Sequence, residues 1–571
     1  MLVLCAAGYL YAFPYFPAVN NPNENVRFYM TAAMVDEGTY AIDAPRQRWG
    51  GVNDAACVER RPGREPTDCA RPPSPEGTRH YYSVKAPGTS FLGVPAYALA
   101  RVVLGPDADR AALLWAARVG GTILPWLLFL AVLYGLLGRW TSSALLRDAV
   151  FASVAFGSCA FAYGMLFVSH VQSAAALFGA FILLWDARRG GGRIHPARAA
   201  LAGLLTASVT LFEYPGLIAS VGLSLYACLA LTQPRRPWST ARSLAAFALG
   251  ALGPTLLMMH VQWACFGAVH QPGHPFMESP SFRANHQQGL FGATELHPEA
   301  LFVYFLHPGK GLFPLTPLLL GALWGFVRLA RRRPVETGLV LGIIALTTLA
   351  VAFQIHWTGG WVIGPRYLLF AYPFFAWATL RGLTPVGRRA PIATGAVAIG
   401  LTAVGLLMSG LPSVYFPHYP ERLAQPVPQI VALLVAHDYA PYNALNLLGV
   451  YGTASMAPLY VAFAGLLLAL GWAAGRGRRG RALAIGAVVA LVVGGPLAWD
   501  YAPGDPEVRE DRAYVTRRWA PAGHDRAARL GARLEEDPDP AGFARLADLY
   551  RTEGRDREAR RARRRARRLA R

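Results

Sequence analysis

Thirteen apolar stretches of about 16 to 28 residues recur between Met1 and Asp500, most of them parted by short loops rich in arginine. A bilayer core roughly 30 Å thick takes about 20 apolar residues as a helix. No water is available there to pair the backbone, so a spanning segment must satisfy its own amide groups. The pattern therefore predicts an all-α, polytopic membrane helix bundle. Its helices fall near 1–18, 111–138, 148–167, 170–186, 198–212, 214–232, 243–266, 312–330, 335–356, 366–381, 391–410, 450–474 and 483–500. Residues 1–18 carry neither a basic leader nor a small-residue cleavage site, and read as a retained helix and not as a signal peptide.

The arginines set the orientation. If the first helix runs outward, six loops fall inside: Arg139 with Arg147, 188–198, 235–242, 331–333, Arg388 with Arg389, and 476–481. The net charge of +21 is then topological, and no nucleic-acid partner is expected. The scheme requires the apolar stretch 86–104 to stay out of the membrane core. Pro87, Gly88, Gly93 and Pro95 suit a bent interfacial helix on the outer leaflet.

Residues 1–500 thus form a transmembrane domain with a first outer loop at 19–110. Further outer regions are 267–311, 354–366 and 411–449. Residues 501–571 form an Arg-rich helical tail, also outside. Its Leu546, Tyr550, Gly554 and Ala559 suit either one tetratricopeptide-like hairpin, a possible surface for a protein partner, or an amphipathic helix on anionic lipid. The expected location is a bacterial inner membrane, with the polar site on the periplasmic face.

The outer regions hold the residues that bear chemistry. Cys57 and Cys69 are the only cysteines outside predicted helices, and either pair as a disulfide or stay free thiols. Among 55 basic residues only Lys85 and Lys310 are lysines, each flanked by glycine and proline at the outer boundary. A compact ammonium suits a phosphate met as a point charge, or simply snorkels to the interface. The run H-W-T-G-G-W-V-I-G-P-R-Y-L places His356, Trp357, Trp361 and Tyr367 around Arg366, whose planar fork suits phosphate oxygens. Belt aromatics at the interface are the other reading of that run.

First-loop carboxylates, Glu24, Asp36, Glu37, Asp43 and Asp54, are candidates for general-base work on an acceptor. The histidines, His170 and the group from His270 to His307, match no zinc spacing, so no metal or other cofactor is expected.

Three stretches carry a family resemblance. They are N-P-N-E-N-V-R-F-Y-M with Y-Y-S-V-K-A-P-G, then H-P-G-K-G-L-F-P-L-T-P, then W-T-G-G-W-V-I-G-P-R-Y-L. Together they resemble the GT-C superfamily of membrane glycosyltransferases, over about residues 1–500. The resemblance implies a polyprenyl-phosphate sugar donor, an acceptor in the cell envelope, and a first-loop carboxylate as the catalytic group. It points to Glu24, with Arg27 beside the substrate, and keeps Asp43 and Asp54 as alternatives because Asn23 replaces the commoner Asp of an Asp-Glu pair. Lys85, Lys310 and Arg366 are assigned to the donor phosphate. His356, Trp357, Trp361 and Tyr367 are assigned to substrate binding. A transporter of lipid-linked sugars and a non-catalytic scaffold are the competing functions.

Overall fold

The computed structural model describes residues 1–16, 21–69, 74–289, 292–436, 438–475, 477–501, 504–519, 527, 530–531, 534–535, 538–552 and 556–570. The end of the first apolar stretch, Arg476, and Gly554 of the tail lie outside them.

Each of the thirteen apolar stretches contains helix. Among the described residues eight helices are long and apolar enough to cross a membrane: Arg110–Trp140, His170–Arg189, Tyr214–Leu231, Pro237–Phe266, Pro334–Ala352, Pro391–Tyr415, Thr453–Ala473 and Arg479–Leu497. The chain is a multi-pass helical membrane protein. The other five stretches are short or interrupted. Leu2–Tyr11 and Pro196–Phe212 are short helices, and Ala144–Ala155 breaks before Ala160–Tyr163. Residues 312–332 break at the non-helical Thr316 ahead of Pro317, and a 3-10 turn at Arg366–Ala371 precedes Tyr372–Arg389.

Lipid tails are as apolar as leucine, so close packing of backbones helps join helices here. Gly203 and Gly250 mark the crossing of Pro196–Phe212 with Pro237–Phe266. A Cβ on Gly203 would lie 1.8 Å from the Phe247 carbonyl oxygen, and one on Gly250 1.9 Å from that of Ala200.

The bundle has two chemically different ends. Helix His170–Arg189 carries His170 against Glu213 at one end. At its other end Arg188 Nε meets Glu336 at 3.3 Å, and Tyr226 donates to the same carboxylate at 3.0 Å. Arg189, Arg332 and Arg333 lie within electrostatic reach of Arg381 there. Two of the loops assigned to the inside, 188–198 and 331–333, thus share an end.

At the opposite end the first loop is built, not merely polar. It contains helices Pro22–Asp36 and Asp43–Trp49 and an antiparallel sheet. Strand Ala55–Arg60 is central, flanked by Thr67–Asp68 and Thr78–Ser83. Cys57 and Cys69 form a disulfide. Helix Gly88–Leu104 then packs on the first-loop helix: Thr31 Oγ1 donates to the Ser90 carbonyl at 2.9 Å, and Arg101 Nε meets Asp36 at 2.9 Å. Its outer side leaves Leu99, Val102 and Val103 exposed.

The tail returns to the same end. In helix Pro506–Trp519, Val508 and Val515 join the main core, and Tyr514 meets Trp361 with ring centroids 5.2 Å apart. Helices Pro540–Thr552 and Asp556–Leu569 pair around Leu534, Phe543, Leu546, Ala547 and Ala562.

Candidate active site

Helix Pro22–Asp36 starts as its sequence dictates. Asn21 caps it by accepting the Glu24 amide at 3.4 Å, and Pro22 occupies the first turn, where no amide partner is needed. This fixes Asn23, Glu24 and Arg27 at the mouth of the bundle, but turns Glu24 and Arg27 toward different partners.

Arg27 is 3% exposed. Its Nη1 donates to the Asn23 carbonyl at 2.9 Å and to the Asn23 side chain, and its Nη2 to Ser169 Oγ at 2.8 Å. Ser169 Oγ donates onward to Glu213 Oε1 at 3.1 Å, and His170 Nδ1 lies against the same oxygen. Arg27 also feels the charges of Asp54 and Arg366. Asp54 pairs with Lys85 Nζ at 3.1 Å. Lys310, 5% exposed, feels the charges of Glu421 and Arg366. His356, held by Asn285 at 3.2 Å, senses Glu421, Lys85 and Asp54.

Residues spread over some 400 positions therefore converge, and Lys85, Lys310 and Arg366 belong to one cluster. Four cations, Arg27, Lys85, Lys310 and Arg366, face three carboxylates, Asp54, Glu213 and Glu421. The excess is positive, and among the described residues the buried Nε atoms of Arg27 and Arg366 have no hydrogen-bond partner. Buried donors left open in this way are costly unless an acceptor completes them. Burial draws Lys310 down to about 8 and, with Lys85 nearby, His274 down to about 3, so His274 is neutral.

Glu24 stands apart from this cluster. Arg118 grips it with Nε and Nη2 at 2.7 Å each, the Phe167 amide donates at 2.6 Å, and Asn21 Nδ2 at 3.2 Å. A carboxylate has about four lone-pair sites, so none is left for an acceptor hydroxyl. Burial pushes this carboxyl up, but Arg118 and the Phe167 amide outweigh it and hold Glu24 below the usual range. Glu24 borders a separate cavity of about 210 Å³, shared with Tyr29, Trp49, Arg110, Arg118 and His418. Segment 167–170 runs between Glu24 and Arg27, giving its amide to the one and its serine to the other.

Asp43 is also elsewhere. Its two oxygens meet His80 at 2.8 Å and the Tyr81 amide at 3.0 Å, which clamps helix Asp43–Trp49 to the sheet. Asp36 is taken by Arg101 and Tyr97. Tyr367 joins the cluster, its hydroxyl accepting from Arg366 Nη2 at 3.1 Å. Trp361 turns to the tail, and Trp357 packs on His297 and Tyr304. Among the described residues no three His, Cys, Asp or Glu side chains are set to hold a metal ion.

The sequence patterns described above single out none of Arg118, Ser169, Glu213 and Glu421. A signal for Glu213 was present: it is the sole acidic residue between Asp186 and Glu278.

No family model matches the chain, and no curated protein matches it. Solved structures do. The apo structure of ArnT from Cupriavidus metallidurans is 15% identical over 87% of this chain and 75% of its own, with a TM-score of 0.43. The oligosaccharyltransferase AglB from Archaeoglobus fulgidus, in complex with an inhibitory peptide and a dolichol-phosphate, is 12% identical over 76% of this chain and 57% of its own, with a TM-score of 0.40. The arabinosyltransferase EmbB from Mycobacterium smegmatis is 13% identical over 87% of this chain and 40% of its own, with a TM-score of 0.42.

Proposed function

We propose that this chain is a membrane glycosyltransferase of the GT-C kind, moving a sugar from a polyprenyl-phosphate donor to an acceptor of the cell envelope. The observation that carries this reading is the convergence of Lys85, Lys310, Arg366 and Arg27 at the end of the bundle remote from the arginine loops. A lipid-linked donor keeps its tail among the helices and its phosphate at the membrane rim. Glycosyl transfer leaves that phosphate with one more negative charge, and fixed cations favour the charge as it develops.

Within this reading the first-loop carboxylate at the site is Asp54, which holds the Lys85 ammonium in place. Glu24 acts through Arg118 as a brace for the start of its helix. Arg366 and Lys310 take the phosphate, Tyr367 orients Arg366, and His356 lines the sugar's approach. The tail and helix Gly88–Leu104 flank the site on the outer surface.

The test is mass spectrometry of envelope glycans and lipid-linked sugars in a deletion strain, complemented with wild type or with a Lys85→Ala, Arg366→Ala double variant. Loss of one glycan modification, with build-up of one polyprenyl-phosphate sugar, restored by wild type alone, supports the proposal. Unchanged glycans and lipids contradict it.

A further inference from the structure

We propose that Glu213 is the catalytic carboxylate that takes the proton from the acceptor hydroxyl, with His170 and Ser169 as the residues that position it. The inference rests on the glycosyltransferase reading above and names a residue of that reaction.

Three observations meet here. Glu213 closes helix Pro196–Phe212 in an extended conformation, φ −145° and ψ 126°, ahead of the Tyr214–Gly216 turn, which carries its side chain into the mouth of the bundle. Its Oε1 is fixed by Ser169 and His170, whereas Oε2 accepts no hydrogen bond among the described residues. Its side chain is 21% exposed, against 4% for Glu24, whose lone pairs are filled. A general base must be reachable and keep a lone pair open, and Glu213 satisfies both conditions.

The neighbourhood suits the role. Arg27 reaches Glu213 through Ser169, and its open Nε lies in a 3% exposed side chain. Arg27 is itself within reach of Arg366 and Asp54, so the proton acceptor and the phosphate-binding cations share one cluster. His170 is 4% exposed, and among the described residues its Nε2 has no partner and its Nδ1 has only the contact with Glu213 Oε1, which suits a ring that steadies the carboxylate by that nitrogen. Burial pushes the Glu213 carboxyl up, but His170, Arg27 and Ser169 outweigh it and keep it ionised, the state a base requires.

The step balances. The acceptor oxygen bonds to the anomeric carbon of the sugar as its proton passes to Glu213 Oε2. The bond from the anomeric carbon to the phosphate oxygen breaks, and its electron pair leaves on the phosphate, opposite Lys85, Lys310 and Arg366.

The test uses the full chain in detergent micelles, with lipid extract and envelope acceptor from a deletion strain. Glu213→Gln is expected to lower kcat by about 10²- to 10⁴-fold while leaving KM for the lipid donor within about twofold. Glu213→Asp should fall between it and wild type, and His170→Ala should cost about tenfold or less, again in kcat. Azide, a nucleophile that carries no proton to remove, should restore sugar release from the donor in Glu213→Ala as a glycosyl azide. Wild-type kcat in Glu213→Gln, or a rise in KM with kcat unchanged, overturns the assignment. A wild-type chain that transfers nothing overturns the glycosyltransferase reading instead.

Discussion

Lys310 is the residue whose ionisation sets a pH limit on the proposed site. Burial lowers it to about 8, so its ammonium is present below that pH and is lost as pH rises through it. KM for the lipid donor should therefore rise from about pH 8 upward, and Lys310→Arg should remove that rise because a guanidinium stays charged. A flat KM through that range in the wild type would contradict the role. Glu24 gives the opposite kind of prediction. Breaking a buried ion pair strands the surviving charge at about 3–5 kcal/mol. Glu24→Gln should lower Tm and yield sharply, and Glu24→Gln with Arg118→Met should recover most of the loss. Equal stability of the single variant and wild type would show that the pair does not brace the helix. Residue types were legible in the sequence, since the two lone lysines and Arg366 stood out from the other basic residues. Which carboxylate keeps an open lone pair was not legible, because Arg118 lies 94 positions from Glu24 and nothing local announces the contact.

At the scale of elements, apolar length announced each of the eight long apolar helices among the described residues, because length and composition are local properties. The sheet of the first loop was hidden: Ala55–Arg60 is buried at five consecutive positions, so it shows no alternation to read. Its disulfide closes the excursion from Cys57 to Cys69. Replacing both cysteines by serine should cost the loop about 3 kcal/mol, seen as faster proteolysis between residues 60 and 66. Unchanged proteolysis would count against a structural role. The glycine crossing makes a sharper claim. Gly203→Leu would drive a side chain into the Phe247 carbonyl, and should abolish stable insertion, whereas Gly253→Leu, with open space around it, should be tolerated.

For the whole molecule, the account joins an electrostatic asymmetry to a chemical one: arginine loops gather at one end and the cluster of Arg27, Asp54, Lys85, Lys310 and Arg366 at the other. Cysteine-accessibility labelling should find residues 61–66 outside and 190–193 inside, and the reverse would place the cluster on the wrong face. The central claim is that the cluster breaks a sugar–phosphate bond and does not merely bind or move a lipid. The direct measurement is mass spectrometry of the donor lipid after incubation with purified protein and envelope acceptor in detergent micelles, where there are no two leaflets to move between. The account predicts conversion of polyprenyl-phosphate sugar to free polyprenyl phosphate, lost in Arg366→Ala. Donor lipid that stays intact with the wild-type protein, while the same protein moves it across the bilayer of sealed vesicles, would contradict the account and identify a transporter.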